Sequence, residues 1–317
     1  MFEFPFDWDE WEEGWELFNE PESSDGVQAA ENAEGWRALM LQSFDALSRN
    51  TTSSIEDFEI KGLVAKEVST FNSEGFHNFL GRLKRFRVSI RDWDNGAGWA
   101  MNTQAGFADF AEQLAEFFFD HLQSATDVVL EADETAPLGL EPGRYHVHLA
   151  LKPQQMPLLR KLELRYIFVC PELANFLVAH LETLEELVMT NCLCSMELLD
   201  EDTEGMHWDA LFNAVSEGQP RKLRRLEIVS TEEIGIEIPQ YCDQDKVKEM
   251  LEALADDPNR RLFAYINLDD KYGMLMEDED MELESFRRGH DQRAYDRLMA
   301  IVGGNRQKGD KADMTAA

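Results

Sequence analysis

His146 and His148 stand one residue apart in the run Arg144-Tyr145-His146-Val147-His148-Leu149. Alternate side chains of a strand share a face, so the two imidazoles would meet at a spacing that suits a metal ion. No Asp, Glu or Cys stands beside them at a convincing ligand spacing, and no metal is expected. His180 lies on the edge of an apolar helical stretch that contains Phe176. It reads as a ring that caps a loop carbonyl, not as a general base. The cysteines Cys170, Cys192, Cys194 and Cys242 contain no C-x-x-C pair. They read as reduced core thiols and not as zinc ligands or a redox centre. The chain has no G-x-S-x-G, H-E-x-x-H or G-x-x-x-x-G-K-[ST]. The common geometries for acyl transfer, zinc-assisted hydrolysis and phosphate binding therefore have no anchor. No catalytic residue and no cofactor are expected, and the chain reads as a binder rather than an enzyme.

Charge narrows what it can bind. The 317 residues hold 30 Lys and Arg against 63 Asp and Glu, a net charge of −33, and the pI is about 4.4. Duplexes and anionic bilayers call for a basic face, so neither nucleic acid nor membrane is an expected partner. A protein is. The start, MFEFPFDWDEWEEGW, lacks the basic and apolar regions of a signal peptide, and no apolar run reaches membrane-spanning length. An intracellular location, cytoplasmic or nuclear, is expected. The acidic run Glu277-Asp278-Glu279-Asp280, with Glu282 and Glu284, reads as a solvated loop before the last helix.

The elements that would carry a binding surface follow a spaced apolar pattern. Leu159, Leu162, Leu164 and Ile167 stand at intervals of three, two and three, and Leu184, Leu187, Met189 and Cys192 repeat them 25 residues later. Between them, Pro171 to Leu181 has helical length. Strand, turn, helix and next strand is the rhythm of a leucine-rich repeat. One such unit cannot bury its own apolar face, so units stack. The spacing predicts an α/β fold: an irregular leucine-rich-repeat solenoid of the ribonuclease-inhibitor-like kind, with parallel strands on the concave face and helices on the convex face. Seven members begin at Ile55, Leu83, Ala125, Leu159, Leu184, Leu223 and Asn259.

One-sided helices fill the gaps, at 33–48, 73–83, 104–122, 172–184, 208–215, 245–254 and 293–302. The first carries Trp36, Leu39, Met40, Phe44 and Leu47 on one stripe. Long insertions at 92–105 and 132–155 interrupt the rhythm. Residues 1–34 hold twelve acids, no Lys or Arg, and seven aromatic residues, and read as a partly disordered acidic-aromatic segment. Residues 35–302 read as the repeat domain and 303–317 as a disordered tail.

The tracts MPLLRKLEL (156–164), FLVAHLETLEELVMTNC (176–192) and WDALFNAV (208–215) resemble the repeat region of fungal F-box proteins. The likeness spans roughly 50–270 and is sharpest over 156–215. It implies the substrate-binding part of a ubiquitin-ligase receptor. The family's F-box opens with a Leu-Pro-x-Glu-like start, which is not found upstream of these repeats. A Skp1-type adaptor is accordingly expected as a partner only through an F-box further upstream. Other readings are a non-ligase interaction scaffold and a regulator of a GTPase.

If the paired apolar positions of each strand point inward, the alternate ones form the concave surface. One row reads Glu59, Arg87, Val129, Glu163, Val188, Glu227 and Phe263. The next reads Lys61, Ser89, Glu131, Arg165, Thr190, Val229 and Tyr265. Val188, Val229, Phe263 and Tyr265, rimmed by Arg165 and Glu163, make the expected partner-binding cluster.

Overall fold

The computed structural model describes residues 2–3, 23–51, 54–91, 101–103, 105–139, 147–195, 206–230, 244–257, 259–269, 272–277 and 279–316. In chain order its elements are β1 (Phe2–Glu3), α1 (Ser24–Ala33), α2 (Gly35–Ser48), β2 (Asp57–Leu63), α3 (Glu74–Leu80), β3 (Arg85–Ile90), α4 (Ala105–Phe117), β4 (Asp127–Glu131) and β5 (Lys161–Arg165). There follow α5 (Pro171–Ala179), β6 (Glu186–Thr190), β7 (Cys194–Ser195), α6 (Trp208–Glu217), β8 (Arg225–Val229), α7 (Gln244–Asp256), β9 (Tyr265–Leu268), β10 (Leu275–Glu277), α8 (Glu279–Arg288) and α9 (His290–Ala316).

Six strands, β2 to β6 and β8, lie side by side in chain order, and the two-residue β1 extends their edge. Every pairing in this sheet is parallel. Phe58, Phe86, Val128, Leu162, Leu187 and Leu226 are in register across it, all at most 4% exposed. Ile60, Val88, Leu130, Leu164 and Met189 form a second buried row, which the partly buried Ile228 closes. The helices cover this face. Phe76 and Phe79 of α3, Phe176 of α5, and Trp208 and Phe212 of α6 join the strand residues in one continuous core.

Five strands, β3 to β6 and β8, are entered in the same way. A single carbonyl accepts two successive amides of the next strand: Glu56 from Lys84 and Arg85, Lys84 from Thr126 and Asp127, Thr126 from Arg160 and Lys161. Arg160 does so for Glu185 and Glu186, and Glu185 for Arg224 and Arg225. A buried residue precedes each: Leu83, Ala125, Leu159, Leu184 and Leu223. Ser73 caps α3 by accepting from the Phe76 amide at 3.2 Å, and Pro171 starts α5, where its missing N–H costs nothing.

Several expectations need correction. The seventh member, from Asn259, does not join the sheet. Leu262 and Ala264 pass β8 without pairing, and the Arg261 guanidinium donates to the Ile228 carbonyl at 3.0 Å. The chain becomes a strand only at Tyr265, where β9 pairs with β7 and β10 in a separate three-stranded sheet. Residues 303–316 are not a disordered tail but continue α9. Asn305 anchors that stretch, its amide donating to Pro220 O at 2.5 Å and Leu223 O at 3.1 Å. Leu39 turns to solvent at 56% exposed, while Met40, Phe44 and the aliphatic stem of Arg37 take the buried side of α2. Of the acidic run, Glu277 ends β10, Asp278 lies outside the described residues, and Glu279, Asp280, Glu282 and Glu284 belong to α8 rather than to a loop, as anions favour a helix N-terminus.

Within residues 1–34, α1 is packed on the domain. Buried Glu31 accepts from the Ser69 amide at 2.6 Å and the Ser69 hydroxyl at 3.0 Å. Residues 4–22, for which partial disorder is expected, lie outside the described residues.

Candidate functional site

The alternate residues of β2 to β6 and β8 occupy the sheet face that the helices leave uncovered, and they range from half-buried to exposed. Three rows cross it. The first, at the strand starts, pairs Asp57, Arg85, Asp127, Lys161, Glu186 and Arg225 in register. Its charge alternates at every strand. Arg85 reaches Asp57 at 2.8 Å, Lys161 reaches Glu186 at 2.6 Å and Arg225 reaches Glu186 at 3.2 Å. Cross-strand neighbours of opposite sign attract, while like charges would repel. Lys161, helped by Arg225, holds the Glu186 carboxyl below the usual carboxylate range. Glu227 and then Glu186 fix Arg225 more firmly in its charged form.

The second row is Glu59, Arg87, Val129, Glu163, Val188 and Glu227. The third runs Ser89, Glu131, Arg165, Thr190 and Val229. Arg165 bridges Glu131 at 3.0 Å and Glu163 at 2.6 Å. Burial opposes its charge, but the two carboxylates outweigh burial and raise its pKa. With those charges satisfied inside the sheet, Val188, Thr190 and Val229 form a small neutral area at the β6–β8 end. Val229, at 37%, is among the exposed large apolar residues.

Of the expected cluster, the sheet brings together Val188, Val229, Arg165 and Glu163. It does not include Phe263 or Tyr265. Phe263 is 6% exposed, wedged between Trp208, Phe212 and Tyr295 at 5.5–5.8 Å between ring centroids. Tyr265 is 2% exposed and its hydroxyl donates to Asp291 at 2.9 Å. Burial, with Cys194 and Asp291 nearby, pushes its pKa up. Both rings are core, because the chain around them left the sheet. The alternating first row was missed, although the residue before each inward Phe, Val or Leu spells it out.

His148 Nδ1 lies 3.2 Å from Glu172, and His146 lies outside the described residues. His180 sits between the Phe176 and Gln155 carbonyls at 2.7 and 2.8 Å. Cys170, Cys192 and Cys194 are free and buried. Burial pushes the Cys192 thiol up to about 12, far from a reactive thiolate. Cys242 lies outside the described residues. Among the described residues, no three His, Cys, Asp or Glu side chains gather to hold a metal ion, and no helix is long and apolar enough to cross a membrane. No protein-family model matches the chain, and neither the curated proteins nor the solved structures show a significant similarity to it.

Proposed function

We propose that this chain is a protein-recognition scaffold: a leucine-rich-repeat solenoid whose uncovered sheet face receives a protein partner. One observation carries the reading. A parallel sheet is ordinarily covered on both faces, whereas here one face carries three ordered rows of side chains with no helix over them among the described residues. The solenoid assignment draws on the chain-ordered strands and on the strand entry repeated five times over. The docking point is the neutral area of Val188, Thr190 and Val229, with Arg165 and Glu163 on its rim. Apolar contacts there supply binding energy, and the paired charges around them set register and reject mismatched partners.

The resemblance of 156–215 narrows the role to the substrate-binding half of an F-box-like ubiquitin-ligase receptor. A protein captured by the wild-type chain is expected to be lost by Val188→Asp and Val229→Asp, and kept by Leu39→Asp on α2. Equal capture by all four chains would sink the assignment of the face. The ligase reading has its own test: residues 1–317 are expected not to co-elute with a purified Skp1-type adaptor. Stoichiometric co-elution would place an adaptor-binding element within this chain.

A further inference from the structure

Acids outnumber bases 63 to 30 in this chain, so a surface cation ordinarily finds a carboxylate. Arg85, Lys161, Arg165, Arg225 and Arg288 all do. Among the described residues Lys61 and Arg87 of the sheet stand unpaired singly, whereas one region gathers several such cations. Residues 218–225 (GQPRKLRR) and 297–309 (RLMAIVGGNRQKG) hold seven cations and no acid. The fold brings the two stretches together. Asn305 donates to the carbonyls of Pro220 and Leu223. Gly309 lies so close to Arg224 that a Cβ there would come within 2.8 Å of the guanidinium carbon. Arg225 is taken by Glu186 and Glu227, and Arg297 donates to Asn213. The side chains of the other five, Arg221, Lys222, Arg224, Arg306 and Lys308, are exposed and make no ion pair or hydrogen bond among the described residues.

Five like charges on one loop and one helix turn repel one another, and none of them is paired among the described residues. We infer that this patch, where the α6–β8 connection meets α9, is a second recognition surface that takes an acidic peptide segment of a partner protein. It is independent of the uncovered sheet face. Guanidinium groups pair carboxylates bidentately, which gives an acidic peptide orientation as well as attraction. The net charge of −33 opposes a duplex or an anionic bilayer, and so do the exposed Glu182 and Glu217. These flank the patch where Leu181 packs against Gly218.

The test is a titration of the full chain with a fluorescein-labelled oligoglutamate peptide, read by anisotropy at physiological salt. Two double variants reverse the patch from its two sides: Arg221→Glu with Arg224→Glu, and Arg306→Glu with Lys308→Glu. A third, Lys248→Glu with Arg287→Glu on α7 and α8, changes net charge equally elsewhere. The wild type is expected to bind, each patch variant to bind about tenfold or more weakly, and the third to match the wild type. Thermal melts verify folding, and because the patch variants lie on separate segments, loss of one fold leaves the other to decide. Absence of binding by the wild type overturns the proposal, as does an equal loss in the third variant. Tighter binding of a single-stranded oligonucleotide or of phosphatidylserine vesicles than of the peptide overturns it in favour of those ligands.

Discussion

Leu162 and Leu187 face each other across β5 and β6, at 2% and 3% exposed. Truncating either to Ala removes buried methyl groups and leaves a cavity, so urea denaturation should show a loss of about 2–5 kcal/mol for each. Glu163, one residue along but on the uncovered face, pairs with a part-exposed Arg165. Glu163→Ala should change stability by no more than about 1 kcal/mol. Equal losses at both kinds of position would mean that the strand register is wrong. Phe263 belongs with the leucines: Phe263→Ala is expected to cost about 3–5 kcal/mol, which rules it out as a docking residue. A different residue-scale effect comes from His121. Its ring stacks on His77 at 3.5 Å between centroids. Burial, then the His77 charge, lowers its pKa from 6.5. The unfolded chain therefore binds this proton more readily than the native one. Stability is complete above about pH 6.5 and falls as pH drops through the window below it. A His121→Gln variant should show a shallower loss of melting temperature between about pH 7 and pH 5 than the wild type. Identical pH profiles would remove His121 as a contributor.

At the scale of elements, what the sequence revealed depended on how locally each element is specified. β2 to β6 and β8 were legible because one spacing places two inward residues on each strand and a buried residue at its entry, and stacking then aligns them. The helices α3 to α6 were legible for the same reason, their buried residues recurring at helical intervals. The last strand was misread because Leu262 and Ala264 mimic the inward pair, while what ends the sheet is a long-range contact, Arg261 to the Ile228 carbonyl. No local pattern encodes such a contact. The C-terminal segment was misread because Gly303 and Gly304 weaken a helix by about 1 kcal/mol each, which looks like an end. The helix continues because Val302 is buried in the main core and Asn305 is held by the loop after α6. Asn305→Ala is accordingly expected to cost about 1–3 kcal/mol by leaving two carbonyls without a donor. Hydrogen exchange should speed up both in α9 beyond Val302 and in residues 220–223. Faster exchange confined to α9 would show that the loop is held by something else.

The whole molecule carries a charge of −33, and its cations are unevenly spent. Several are committed to the rows of the uncovered face, and five gather unpaired at the α9 end. Two effects of salt then oppose each other. Screening weakens the ion pairs on the sheet, each exposed pair worth about 0–1 kcal/mol. It also weakens the mutual repulsion of an excess of acids, which works against the compact state. The repulsion should win. It involves every uncompensated carboxylate, whereas the pairs are few and lie at contact distance, where screening by mobile ions is least effective. Raising sodium chloride from low to physiological concentration should therefore raise the melting temperature by about 1–2 °C, the shift that corresponds to about 1 kcal/mol in a chain of this size. Chloride is preferred to sulfate, which strengthens apolar burial on its own account. Holding the pH near about 8 keeps His121 neutral in both states, so that its protonation does not enter. A melting temperature that falls as sodium chloride is added would show that the paired rows of the sheet contribute more than the net repulsion subtracts. The uncovered face would then be a stabilising element in its own right, one that a partner docking there must not disrupt.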